Sequence, residues 1–355
     1  MPDYPTVYAT CHCHAHRFPV FLDPSTLPKS EACCHCDVCR HSAGVPFVTC
    51  IRIPHALFPL TAPDPDNTTR SNAGDGHDTA LPKGITSYRS SGHAARYFCS
   101  ICGCHIAMHF CNQWFLSVGC ITFPSLPEPG LQEEEMRAVD GIYKISWHQY
   151  LEDTGDGGIM KLMDDGLPRY AIRTDGALFS IRTSNAPAPT HSSDAPIKTK
   201  TGDVLTARCR CGSVRASILR PSAIPSGPGV AKRGSSDGQR WLSGHCMCTD
   251  CRLTSGYPVS SWTYVGREHL KLEGEGLVYY QSSQRAKRGF CRTCGASVMW
   301  DGGGDTVDIA TALFERNEGE GVSAVEREWT WLEGGVSFAG DARDRGMKAN
   351  ASTGA

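Results

Sequence analysis

Nineteen cysteines stand in this chain of 355 residues, and most of them fall into spacings that hold metal ions. Cys99-x-x-Cys102-Gly103 and Cys291-x-x-Cys294-Gly295 have the form of a knuckle, in which two thiolates close on one ion while the glycine permits a sharp turn. A closed tetrahedral site needs a second pair of thiolates, and Cys11-x-Cys13 and Cys209-x-Cys211 supply one for each knuckle. That leaves two trios: Cys34, Cys36 and Cys39, and Cys246, Cys248 and Cys251. Three protein ligands with a fourth position left vacant is the arrangement of a catalytic zinc. All fourteen cysteines are therefore candidate zinc ligands, up to two Zn2+ in each half of the chain, and the six of the trios are the candidate catalytic residues. An open zinc binds a substrate thiolate or polarises a carbonyl or hydroxyl as a Lewis acid. Reversible addition of a thiol to an aldehyde needs little beyond that and a proton relay.

Alternatives stay open on spacing alone. A trio completed by His35, His41, Cys33 or His245 would be a structural site without chemistry. An iron-sulfur cluster lacks its ferredoxin spacing here, and a redox Cys-x-x-Cys lacks the βαβ context. Arg40 and Arg252 each follow a trio directly and are the candidate cofactor-binding residues, able to hold a carboxylate or lower a thiolate pKa, with ordinary salt bridging as the plainer role.

The cysteines also show that the chain contains one pattern twice. Corresponding cysteines are offset by 198 residues in the opening pair, 212 in the middle trio and 192 in the closing pair. Other residues keep the same offsets: Gly44 with Gly256, Pro46 with Pro258, Tyr88 with Tyr280, Ser90 and Ser91 with Ser282 and Ser283, Arg96 with Arg288, and Phe98 with Phe290. The five remaining cysteines, Cys33, Cys50, Cys104, Cys111 and Cys120, all lie in the first half and read as small buried hydrophobes. The repeated tyrosines read as strand residues packing under the fold, and His16, His93, His105, His109 and His148 as structural or exposed.

The elements that position these cysteines are short strands. Phe47 to Ile53, Trp114 to Ile121, Val204 to Arg208, Val259 to Val265, Leu277 to Gln281 and Thr306 to Ala310 carry β-branched and aromatic residues between turn signals. The one tempting helix, Gln132 to Val139, is too short to organise a domain. Thr61 to Lys83 and Pro221 to Arg240 read as surface loops rich in proline and glycine. Mainly β architecture follows, in two domains: 1–182 and 204–340, joined by a linker over 183–203 and followed by a tail over 341–355. The tandem domains are expected to pack on each other.

Composition narrows the functional classes. With 35 basic against 37 acidic residues and no basic stripe, nothing attracts nucleic acid or an anionic membrane. Neither a bilayer-spanning apolar run nor a signal-peptide stretch is present, so the expected location is the cytoplasm and the expected partner a small-molecule substrate. The sequons at Asn67 and Asn350 are then chance matches.

The motifs resemble those of the glutathione-dependent formaldehyde-activating enzyme and centromere protein V family. The residues that carry the likeness are Cys34-His35-Cys36-Asp37-Val38-Cys39-Arg40 with Gly44 and Phe98-Cys99 to Cys102-Gly103, then Cys209-Arg210-Cys211-Gly212, Cys246-Met247-Cys248-Thr249-Asp250-Cys251-Arg252 with Gly256, and Phe290-Cys291 to Cys294-Gly295. The resemblance implies β-tent-like domains, one structural and one catalytic zinc in each, and carbon-sulfur lyase chemistry on glutathione adducts such as S-hydroxymethylglutathione. It also leaves room for a tailoring reaction on a non-glutathione substrate, or a non-catalytic zinc scaffold. Three departures bear on it: His14 replaces the opening glycine, Cys104 a serine after the first knuckle, and Met247 the histidine of the second trio. The first copy continues through Trp147, Asp153 to Gly158 and Asp165-Gly166-Leu167-Pro168 as longer family members do, while Trp329 to Ala339 is an abbreviated counterpart, which weights the first site as the catalytic one.

Overall fold

A computed structural model describes residues 6–58, 81–123, 138–154, 158–161, 165–179, 203–224, 241–315 and 329–337. The linker up to residue 202, the tail, most of the Thr61 to Lys83 and Pro221 to Arg240 loops, most of Gln132 to Val139 and part of Asp153 to Gly158 lie outside them.

Strands dominate, and the two copies build the same sheet. In the first, five antiparallel strands run in the spatial order Cys50–Ile53, Gln113–Ser117, His105–Phe110, Ala94–Cys99, Ile85–Ser91. In the second, Ser260–Gly266, Thr306–Ala310, Ser297–Asp301, Lys287–Cys291 and Leu277–Gln281 repeat that order. The strand leading into each trio pairs in parallel with a late strand, Lys29–Cys34 with Tyr143–Gln149 and Trp241–Cys246 with Trp329–Ser337. The opening cysteine pairs follow Thr6–Thr10 and Val204–Arg208, each the first strand of a hairpin.

Alternation along the strands sets which face is inside. Val204–Arg208 buries Leu205 and Ala207 and exposes the residues between them, as period-two patterning requires. Val204 to Arg208, Leu277 to Gln281 and Thr306 to Ala310 are strands with the bounds expected from sequence. The other expected strands are displaced or divided; Trp114 to Ile121 is broken by a short 3-10 turn over Val118–Cys120.

Two helices were not expected. α1 (Asp37–Ala43) and α2 (Thr249–Ser255) are seven residues each and begin inside the trios. Helices this short gain little from propensity and rest on their ends. The Sγ of Cys36 accepts from the Cys39 N–H at 3.4 Å, and that of Cys248 from the Cys251 N–H at 3.3 Å, so a thiol takes the N-cap role. Gly44 and Gly256 end the helices in the left-handed region, at φ 72° and 83°.

Each copy has a core, around Phe47, Ile51, Ile106 and Leu116 in the first and Ile218, Trp241, Val265 and Ile309 in the second. Residues cross between them. Met247 and Val259 are buried in the first core with Tyr280 packed against it, and Tyr88 packs against the second. The repeated tyrosines therefore pack under the partner copy's core. Of the five extra cysteines, Cys33, Cys50, Cys104 and Cys120 are buried. Cys111 is not; with Asn112 it makes a hairpin turn at φ 48° and 59°, where the chain must face solvent.

Candidate metal centres

The cysteines converge into four groups. The Sγ atoms of Cys11, Cys13, Cys99 and Cys102 all lie within 4.8 Å of one another, and so do those of Cys209, Cys211, Cys291 and Cys294. Within them, Cys11 and Cys13 are 3.5 Å apart, Cys13 and Cys99 3.6 Å, Cys209 and Cys211 3.4 Å, and Cys211 and Cys291 3.5 Å. Four thiolates at the usual zinc-sulfur distance stand about 3.8 Å apart, so both groups fit a tetrahedral ion. Knuckle amides aim at the sulfurs: Ile101 N–H donates to Cys99 Sγ and Thr293 N–H to Cys291 Sγ, both at 3.4 Å. Gly103 and Gly295 make the turn at φ 79°. At the opening pair, His14 adopts φ 57° where the second copy has Gly212 at φ 76°, so the histidine keeps the turn despite its side chain.

The trios converge as well. Cys34, Cys36 and Cys39 form one group within 4.8 Å, and Cys246, Cys248 and Cys251 another; among the described residues no fourth Cys, His, Asp or Glu joins either. The side chains that stood as fourth ligands are engaged elsewhere. His41 Nδ1 meets the Arg208 carbonyl at 2.9 Å, Cys33 Sγ meets Thr49 Oγ1 at 3.2 Å, and His245 Nδ1 meets Ser261 Oγ at 2.6 Å. His35 Nε2 shares a hydrogen bond of 3.0 Å with His148 Nδ1, whose Nε2 is 2.8 Å from Asp165 Oδ2. This buried chain braces the first trio against the late strand and has no counterpart at Met247.

Arg40 and Arg252 are buried and bound within the protein. Arg40 pairs with Asp37 and donates to the His35 carbonyl at 3.1 Å, while Arg252 donates to the Gly119 carbonyl. A different pair of arginines touches the trios. Arg96 Nη2 donates to Cys39 Sγ at 3.2 Å, and both terminal nitrogens of Arg288 donate to Cys251 Sγ at 3.5 Å. Hydrogen bonds from Cys34 and Cys36 hold the Cys39 thiol well below its usual range, and the Arg96 guanidinium adds to them against the effect of burial; Cys246, Cys248 and Arg288 do the same for Cys251. The matched offset of Arg96 and Arg288 is visible in the sequence, yet nothing there ties it to the trios.

Apolar side chains also pack against the first trio. Ala43, Val45, Val48, Cys50 and Tyr257 are buried in one cluster with Cys39, and Cys34, Cys36 and Phe115 pack against it. Chemically, each trio offers three soft donors, a fourth position that no described residue fills and a fixed positive charge on one sulfur, a set suited to a thiophilic divalent ion such as zinc.

Comparison with known proteins agrees with this geometry. The model of the family described as glutathione-dependent formaldehyde-activating enzyme matches residues 6–133 and 234–330, more than half of the chain and one segment in each copy. No curated protein matches the chain. A crystal structure of a Rhodobacter sphaeroides protein is 20% identical and covers 35% of this chain and 99% of its own, with a TM-score of 0.23, a likeness too slight to argue from. Among the described residues no helix is long and apolar enough to cross a membrane. Each matched segment carries the trio and the knuckle of its half, and on that match the chain belongs to the glutathione-dependent formaldehyde-activating enzyme family.

Proposed function

We propose that the protein is a zinc-dependent carbon-sulfur lyase that makes and breaks adducts between a thiol and an aldehyde or related small carbonyl compound. The observation that carries this reading is the pair of three-thiol groups that no fourth ligand joins among the described residues, beside two four-thiol groups that are complete in themselves. The four-thiol groups are assigned to structural zinc, which holds each knuckle to its opening hairpin, and the trios to catalytic zinc. Zinc bound at a trio supplies a Lewis acid and a landing place for the sulfur of the substrate.

The chain's own residues do the rest. In the lytic direction the carbon-sulfur bond of the adduct breaks with its electron pair going to sulfur, the hydroxyl oxygen gives up its proton and forms the carbonyl, and aldehyde and thiol leave. Arg96 donates to Cys39 Sγ and Arg288 to Cys251 Sγ, so one sulfur of each trio is held in a single orientation. Around the first trio, Val48 and Phe115 exclude water and favour the uncharged adduct over its hydrated parts. Domains 1–182 and 204–340 each carry one such centre on this reading, with 183–203 as the linker.

A second reading concerns the thiol. Glutathione carries two carboxylates, and Arg40 and Arg252, which follow the trios in sequence, are already bound to groups of the protein, while Arg96 and Arg288 donate to trio sulfurs. This favours a smaller, less charged thiol, as in a tailoring reaction of a biosynthetic route. The test is turnover of S-hydroxymethyl adducts of glutathione and of 2-mercaptoethanol by the wild type and by Cys36→Ala and Cys248→Ala, with metal content measured by elemental mass spectrometry. Loss of turnover with the four-thiol zinc retained is expected; full turnover when Cys36→Ala and Cys248→Ala are combined in one chain refutes the assignment.

A further inference from the structure

The two copies meet through contacts that repeat with the same offsets as the cysteines. A Cβ built on Gly44 would lie 2.0 Å from the Ser297 carbonyl oxygen, and one on Gly256 would lie 1.9 Å from that of His105, the residue that corresponds to Ser297. A Cβ on Gly103 would meet the Phe290 ring at 2.7 Å, and one on Gly295 the Phe98 ring at 2.7 Å. Arg210 N–H donates to the His41 carbonyl at 2.9 Å, and His12 N–H to the Leu253 carbonyl at 3.3 Å. Each contact has its mate with the roles of the copies exchanged, which is the signature of a pseudo-two-fold axis.

This pairing carries a residue of the second copy to the first trio. Tyr257 follows Gly256 directly, is 1% exposed and belongs to the same buried cluster as Cys39 and Cys50. Its backbone is fixed by the first copy, because Gly119 N–H donates to the Gly256 carbonyl at 2.9 Å. Burial pushes its phenol up and Cys50 adds to this, while the Arg96 guanidinium pulls the other way, so its hydroxyl stands among groups of the first copy.

The repeat breaks at this place. The position of Tyr257 is Val45 in the first copy, and the neighbouring positions differ too: Cys50 against Trp262, Phe115 against Asp308, His35 against Met247. Ligands, helix caps and the arginine on the third sulfur are duplicated, whereas the walls are not. Burial pushes the Asp308 carboxyl up to about 7, so the second copy keeps a titrating group where the first has a phenyl ring.

We propose that the first trio is a composite site completed by Tyr257 of the second copy, and that Tyr257 decides which thiol adducts this centre accepts. Its ring closes the apolar wall built by Val48 and Phe115, which suits an adduct with a small, uncharged organic group, and the second trio, without that wall, takes a different one. The proposal rests on the thiol-adduct reading above for its ligand class, but not for the composite wall.

The test uses full-length protein loaded with cobalt(II), whose visible bands report the coordination of each trio. One background keeps only the first trio, through Cys246→Ser and Cys251→Ser; the other keeps only the second, through Cys34→Ser and Cys39→Ser. Binding of 2-mercaptoethanol and of benzyl mercaptan is followed by the change in those bands. Tyr257→Ala is expected to shift preference toward benzyl mercaptan by about tenfold or more in the first background and by less than about twofold in the second, the scale that a few ring carbons make in a pocket. Tyr257→Phe, which keeps the ring and the fold, is expected to retain the wild-type preference. An equal shift in both backgrounds, or none in the first, overturns the proposal. Should no thiol alter the wild-type bands, the thiol-adduct reading fails, and the composite site is then judged by the bands alone: they must differ in Tyr257→Ala for the first trio only, and bands that stay unchanged refute it.

Discussion

Replacing Gly44 with alanine tests the docking of the two copies more directly than any ligand does. Two costs combine at this position and can be separated. Gly44 has φ 72°, where an L residue is strained by about 1 kcal/mol. The new methyl would also lie 2.0 Å from the Ser297 carbonyl oxygen, well inside van der Waals contact. That oxygen belongs to a strand held on both sides, by Lys287–Cys291 and Thr306–Ala310, and cannot swing away as a side chain would. Relief requires one copy to move against the other by about an ångström, which breaks the matched contacts, and the total is expected to exceed about 4 kcal/mol. Gly303→Ala is the control, since φ there is 80° and nothing lies within 4 Å of the added Cβ. At about 2 °C per kcal/mol for a chain of this length, thermal melting should fall by about 2 °C in Gly303→Ala and by more than about 8 °C in Gly44→Ala. Equal melting temperatures for the two variants would refute the close approach of the copies at α1.

Arg96→Met removes the donor to Cys39 Sγ while keeping most of the buried volume. The first trio is expected to lose about 10- to 100-fold in zinc affinity in a chelator competition, with the four-thiol ions unaffected; an unchanged affinity would show that the contact plays no part in holding the ligand. Glu31 gives a pH signature of its own on the strand that leads into the first trio. Burial pushes its carboxyl from the ordinary 4.5 up to about 7, against a hydrogen bond from the Arg52 N–H. Between those two pH values the folded chain binds the extra proton, so stability falls as pH rises through that window. Glu31→Gln should therefore gain in melting temperature relative to wild type as pH goes from about 5 to about 8, and a constant difference would refute the assignment.

What was legible in the sequence and what was not divides along a physical line. Ligand spacing is local, so the two pairs, the two knuckles and the two trios could be read from cysteine positions, and three strands from their β-branched and aromatic residues between turn signals. α1 and α2 were hidden because seven residues leave no room for helical periodicity, and because Cys36 and Cys248, read in the sequence as members of the trios, also cap the helices. Gly44 and Gly256, eight residues after those caps, were the available signal. Arg96 lies 57 residues beyond Cys39, and only the strand Ala94–Cys99, laid beside the trio, gives its repeated position a meaning. Tyr257 was less legible still, because a contact between copies leaves no mark in the periodicity of either. Where the copies agree, as at the glycines and at Arg96 and Arg288, the constraint is the duplicated fold and its axis. Where they disagree around a trio that is itself duplicated, the fold no longer dictates the residue. Tyr257, Cys50 and Phe115 around the first trio, and Trp262 and Asp308 where the second copy has the counterparts of Cys50 and Phe115, are such positions, and they are where the two centres are free to differ in what they bind.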